Sequence, residues 1–194
     1  MAKIIENSAY DPADNDKPRI PEGIYPAHVT SVNSTKFDDT GKSVYNLVFT
    51  VANEVKNITV PKLVSDGNGG FKQDGKRDGE FIVGKEVRFD KGMWLNPTPE
   101  KGKGWQNKNY VNWSMNLGVE FPETKDGKIT LVEIEESDII GKPCNVKVVY
   151  KPWEYNGNSG HALKVIDLFS WDEGEALSGE EIKLKNNKED DLPF

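Results

Sequence analysis

From Ser43 to Asn53 the chain reads SVYNLVFTVAN, and its side chains alternate without a break. Val44, Asn46, Val48 and Thr50 fall on one face, and Tyr45, Leu47, Phe49 and Val51 fall on the other. An extended backbone points successive side chains to opposite sides, so this segment is a strand with one bulky apolar face to bury. A second feature supplies a place to bury it. PCNVKVVYKPW (143–153) and HALKVIDLFSW (161–171) flank YNGNSG, and Asn-Gly between two apolar runs specifies a hairpin.

Other segments extend this β pattern. GIYPAHVTSV (23–32) is strand-like, with Ile24, Val29 and Val32 apolar, and DDTGK (38–42) turns it into the 43–53 strand. VKNITVPKL (55–63) is expected to pair with 43–53, with Pro61 marking an edge or an end. KEVRFDKGMWL (85–95) reads as a further strand, and Ser137-Asp138 opens a turn, SDIIGK. NKNYVNWSMNLGVEFP (107–122) is the helix: Asn107 or Asn109 caps it, Gly118 takes the C′ position and Pro122 stops it. SDGNGGFKQDGKRDGE (65–80) and NPTPEKGKGW (96–105) show no period and read as long loops. Five or six strands, one interposed helix and no repeat predict a mainly-β, five- to six-stranded antiparallel barrel of the oligonucleotide/oligosaccharide-binding kind.

Charge divides the 194 residues into three parts. Residues 1–20 are polar, contain Pro12 and Pro18, and read as an arm; 21–171 form one domain; 172–194 read as a disordered acidic tail. Eight acids stand against three lysines in that tail, so −5 of the formal −7 lies there and the body is close to neutral. The single cysteine, Cys144, rules out an internal disulfide and suits a reducing compartment. The start MAKIIENSAY lacks an apolar run, and nothing approaches a membrane span, so a cytoplasmic location is expected. Three Asn-x-Ser/Thr matches, at Asn33, Asn57 and Asn112, then read as chance.

Enzyme chemistry finds little support. Thr40-Gly41-Lys42-Ser43 resembles the end of a phosphate loop, but Lys36 stands where the pattern needs its first glycine, and strands flank the segment on both sides. It reads as a hairpin turn. One cysteine and two distant histidines, His28 and His161, do not make a closed zinc site. Cys144 could meet His161 across paired strands, yet a buried inert thiol accounts for it more simply. No catalytic residue, metal or cofactor is expected.

Binding chemistry is better represented. The first loop offers Phe71, Lys72, Lys76 and Arg77; the second offers Trp94, Lys101, Lys103, Trp105 and Lys108, followed by Tyr110; the last hairpin offers Tyr150, Lys151, Trp153 and Tyr155. Unstacked bases need flat π-faces and their phosphates need cations, and this mixture supplies both. Trp94, Trp113 and Trp171 lie in regular elements and read first as core, whereas Trp105 and Trp153 sit among Gly, Lys, Asn and Pro and read as exposed. Three rivals remain: a protein-only adaptor, a carbohydrate-binding sandwich that stacks sugars on tryptophan, and a DNA enzyme.

The final residues, Asp190-Asp191-Leu192-Pro193-Phe194, resemble the acidic tip of bacterial single-stranded DNA-binding proteins, which end in aspartates, an apolar residue, Pro and Phe. That resemblance covers about nine residues and implies a docking peptide for partner proteins. The body instead resembles a phage family of single-stranded DNA-binding proteins. The likeness is carried by Pro21-Glu22-Gly23-Ile24-Tyr25, Asp39-Thr40-Gly41-Lys42-Ser43, Asn116-Leu117-Gly118 and Ile140-Gly141-Lys142, and it departs at 65–80. It implies an oligonucleotide-binding barrel that protects single-stranded DNA and removes its secondary structure during phage replication, recombination or repair. It further implies replication or recombination proteins as partners of the tip and the cytoplasm of the host cell as the location. The oligomeric state stays open, with a homodimer among the options.

Overall fold

The computed structural model describes residues 18–66 and 70–171. Most of the 1–20 arm and all of 172–194, including Asp190, Asp191, Leu192, Pro193 and Phe194, lie outside the described residues. Eight strands follow in chain order: β1 (Gly23–Lys36), β2 (Ser43–Val51), β3 (Thr59–Ser65), β4 (Phe71–Asp78), β5 (Glu86–Phe89), β6 (Met93–Leu95), β7 (Pro143–Tyr155) and β8 (Asn158–Phe169). Helix α1 spans Lys108–Asn116, and one turn of helix, α2, spans Glu136–Ile139.

Five strands close on themselves. β1 pairs antiparallel with β2 and β7, β2 with β5, and β7 with β8, while β5 and β8 close the circuit in parallel. The barrel is therefore mixed rather than wholly antiparallel, because the segment between β5 and β7 that contains α1 carries the chain across an end of the barrel. β6 is an additional strand that continues the line of β5 along the edge of β2. This is an oligonucleotide/oligosaccharide-binding-like barrel, with its helix between the third and fourth barrel strands.

The alternation in β2 sorts as the sequence requires. Tyr45, Leu47, Phe49 and Val51 point into the core with Tyr25, Ala27 and Val29 of β1, Val87 and Phe89 of β5, Val146 and Val148 of β7, and Val165 and Leu168 of β8. Thr50 donates a hydrogen bond on the outer face to Thr30 at 3.1 Å. Each fully buried large side chain here contributes on the order of 1.5–3 kcal/mol through removal from water.

Five expectations change. Residues 55–63 do not pair with β2. Asn53–Asn57 form a 3-10 turn, and β3 then pairs with β4 alone, so most of the anticipated 65–80 loop is a hairpin. The Gly- and charge-rich sequence of β4 has no apolar period because both of its faces lie near solvent. The 85–95 strand is broken into β5 and β6 at Gly92, whose φ of 69° turns the chain over Val44 and Asn46. Helix α1 is shorter than expected. Gly118 and Val119 donate backbone hydrogen bonds to the Met115 and Ser114 carbonyls, a Schellman closure that ends the helix before Pro122. At its start Asn107 does not cap. Its side chain accepts from the Asn96 N–H (2.8 Å) and donates to the Asn96 carbonyl (2.9 Å), pinning the preceding loop.

Strand direction gives the barrel two distinct ends. The β1–β2 turn, β6, the 96–107 segment, α1 and the end of β8 share one, where Asn116 donates to the Leu168 carbonyl at 2.7 Å. The β3–β4 hairpin and the β7–β8 turn share the other.

Gly79 closes the base of the β3–β4 hairpin. Its N–H donates to the Ile58 carbonyl at 2.8 Å, and a Cβ there would lie 2.2 Å from the Val55 carbonyl oxygen. Gly79→Ala is expected to lower stability by about 1–3 kcal/mol in urea unfolding. An unchanged midpoint would contradict this packing.

Burial also sets the alkaline limit of stability. It pushes the Cys144 thiol up to about 12, and it raises the phenols of Tyr25, which donates to the Pro21 carbonyl, and Tyr110, which donates to the Val132 carbonyl. The native state holds these protons while the unfolded chain releases them, so stability is complete below about pH 8.5 and declines from there toward pH 12. Denaturant melts between pH 7 and 11 should show a monotonic loss above pH 9, and Cys144 should react with a thiol reagent only on unfolding.

Candidate nucleic-acid interface

At the hairpin end, β7 and β8 outrun the barrel. β1 pairs with β7 only as far as Val148 and β5 with β8 only from Lys164, opposite Val149, so residues 150–155 continue with β8 as a two-stranded ribbon. Its tip is Asn156-Gly157, with φ of 49° and 76°, the positive values that a tight two-residue turn demands and that Asn and Gly tolerate. The β3–β4 ribbon projects beside it.

The two ribbons touch through aromatic rings. Phe71 of β4 stands 5.5 Å from Tyr150 of β7, centroid to centroid, and the Arg19 guanidinium lies 4.1 Å over the Phe71 ring. Tyr150 is held in place from two directions: its hydroxyl donates to the Ile20 carbonyl at 3.0 Å, and its N–H donates to the Glu22 carboxylate at 2.6 Å. Burial raises its phenol, and nearby Arg19 partly offsets the rise.

Beyond this contact lies an open groove of about 650 Å³, lined by Asp66, Gly70, Pro152, Trp153, Glu154, Ser159, Gly160 and His161. Trp153 lies across Gly160, where a Cβ would fall 3.0 Å from the indole Cζ2. The missing side chain lets the ring lie against the opposite strand while it remains 45% exposed. Tyr155 is 72% exposed at the tip. Asp66 and Glu154 line the groove, so its interior suits the uncharged faces of bases better than phosphates. Cations stand on the ribbon surfaces: Lys72, Lys76 and Lys151 are exposed, whereas Arg77 stacks 4.0 Å over Phe81 at the hairpin base.

The second set of sequence-selected residues sits at the opposite end. Trp94 is not core: it is 46% exposed, stacks on Phe37 at 5.7 Å and 11°, and donates its indole N–H to the Lys91 carbonyl at 2.8 Å. The parity of β6 explains this, because Met93 and Leu95 take the buried side. Trp105 is 71% exposed on a 3-10 turn beside exposed Lys101, Lys103 and Lys108, and Lys103 pairs with Glu100 at 2.7 Å. Trp113 and Trp171 are half-buried: Trp113 packs edge-on to Phe89 and donates to the Asp167 carboxylate at 2.6 Å, and Trp171 lies beside His28. Sequence reasoning missed Phe37 and Arg19. An aromatic residue immediately before the DDTGK turn was the available signal for Phe37.

Register separates Cys144 from His161. Cys144 pairs with Ala27 in the barrel wall and His161 pairs with Pro152 in the ribbon, about 25 Å further along the hairpin. Among the described residues no group of three or more His, Cys, Asp or Glu is placed to hold a metal ion, and no helix is long and apolar enough to cross a membrane.

No protein-family model and no curated protein matches this sequence.

Gly160→Val should lift Trp153 from the ribbon. Emission should shift to the red and acrylamide quenching should increase relative to wild type, and both changes should vanish in a Trp153→Phe background. No change in either signal would show that Gly160 does not seat the ring.

Proposed function

We propose that this protein binds single-stranded DNA with little sequence preference, shielding it and keeping it free of secondary structure. The observation that carries the reading is the convergence of Phe71, Lys72, Tyr150, Lys151, Trp153 and Tyr155. These come from two stretches more than 70 residues apart in sequence and gather at one end of an oligonucleotide-binding-like barrel. Exposed rings accept bases of any identity, at about 1–3 kcal/mol per stacked base, and the surrounding lysines accept phosphate. From the resemblances in the sequence we take phage DNA replication, recombination or repair as the setting of this activity. They assign the acidic segment 172–194, with its Asp-Asp-Leu-Pro-Phe ending, to recruiting replication or recombination proteins. The alternative is a non-enzymatic adaptor that binds proteins alone.

Tryptophan fluorescence titrated with oligo-dT at 50 and 300 mM salt decides between them. The proposed activity gives quenching that weakens steeply with salt, and an adaptor gives a flat response at both. In the same assay a chain truncated after Trp171 should bind more tightly at low salt, because the removed segment carries a net −5 and competes with phosphate for the same cations.

A further inference from the structure

Between the two aromatic ends lies a stretch of barrel wall whose outer side chains follow from register. In β2, Val44, Asn46, Val48 and Thr50 point outward, opposite to the buried Tyr45, Leu47 and Phe49. Cross-strand partners share a face, so Trp94 (opposite Val44) and Arg88 (opposite Val48) also point outward. Arg88 is in turn the parallel partner of Lys164, and Lys164 is opposite Val149 of β7. Two residues at a time along the ribbon, the same face continues through Lys151 and Ala162 to Trp153 and Gly160, with no bulge in between. One outer surface thus carries Trp94, Arg88, Lys164, Lys151 and Trp153 in that order.

Arg88 and Lys164 are the unexpected members. Parallel closure of the barrel sets two cations side by side, an arrangement that costs stability when nothing neutralises it. Among the described residues neither makes an ion pair. Glu86 shares this face of β5 and is not bonded to Arg88. On the β1–β2 side of the pair the wall is low and uncharged, formed by Asn46, Val48, Thr50 and Thr30, and Glu86 flanks it on β5. Val48 and Val149 are each half-buried beneath it.

We propose that Arg88 and Lys164 form a phosphate-contact site, over which a single strand of DNA passes between the Phe37–Trp94 stack at the helix end and Trp153 at the hairpin end. This rests on the single-stranded DNA reading and adds the path of the strand. Four residue levels separate Trp94 from Arg88 and another four separate Lys164 from Trp153, which makes a track of about 26 Å. The ends supply stacking and the middle supplies charge. The carboxylate-lined groove between the ribbons then lies beside the path of the phosphates and is not crossed by them.

The test is the full chain carrying Arg88→Gln and Lys164→Gln, compared with wild type and with Lys125→Gln/Lys128→Gln as a surface control. Fluorescence titrations with oligo-dT and oligo-dA are run at several salt concentrations, with thermal melts alongside. Wild type and control should show the same slope of log K against log salt. The Arg88/Lys164 variant should lose about 0.7 of slope per lost phosphate contact, about 1.4 in total, and bind roughly tenfold more weakly at low salt. The loss should be equal on dT and dA, because phosphates carry no base identity. Its melting temperature should equal or exceed that of wild type, since two adjacent like charges have been removed. Arg88→Lys should restore most of the slope. A folded variant that keeps the wild-type affinity and slope overturns the site while leaving the DNA-binding reading standing. A wild-type chain that does not bind either oligonucleotide overturns both.

Discussion

The parallel contact between β5 and β8 is the constraint on which the rest of the architecture depends. Only two register pairs make it, Arg88 with Lys164 and Phe89 with Val165, yet without it the wall would be an open sheet with two free edges. Closing there fixes which side chains face inward. Phe89 and Val165 enter the core beside Phe49, and their neighbours Arg88 and Lys164 are forced outward together. The crossover that parallel pairing requires also places α1 over one end, where Trp113 packs edge-on to Phe89. With that end covered, the ribbons are free to elaborate the other.

Much of the barrel was legible in sequence because its signals are local. Period-two alternation in 43–53 and Asn-Gly between apolar runs in 143–171 each describe a structure that forms from neighbouring residues, and both elements stand where those signals put them. β4 was not legible. FKQDGKRD has neither apolar alternation nor β-branched residues, and its pairing with β3 is held by the hairpin base at Gly79 and by Phe71 against Tyr150. The parallel closure was equally hidden, because β5 is four residues long and nothing in EVRF names a partner some 70 positions away.

The candidate site was readable in kind and not in arrangement. Selecting basic and aromatic residues from three segments found two distinct groups without distinguishing them: Phe71 through Arg77 with Tyr150 through Tyr155 at one end, and Trp94 with Trp105 and its lysines at the other. Trp94 looked like core because it lies in a regular element, and only the choice of inward parity for Met93 and Leu95 turns it out. Arg88 and Lys164 are separated in sequence and unremarkable alone; barrel closure is what gives them a shared position.

The ribbons carry one further consequence. Among the described residues each is only two strands wide, so each presents outer edges that pair with no further strand, the geometry that invites a copy of the same chain to add itself in register. Pro61 and Pro152 interrupt those edges by removing a donor, and Lys62, Lys72, Asp74, Lys76 and Asp78 crowd the β3–β4 pair with charge. That protection is largely electrostatic and therefore fades as ions accumulate. Concentrated solutions at high ionic strength are where self-association through these edges would begin.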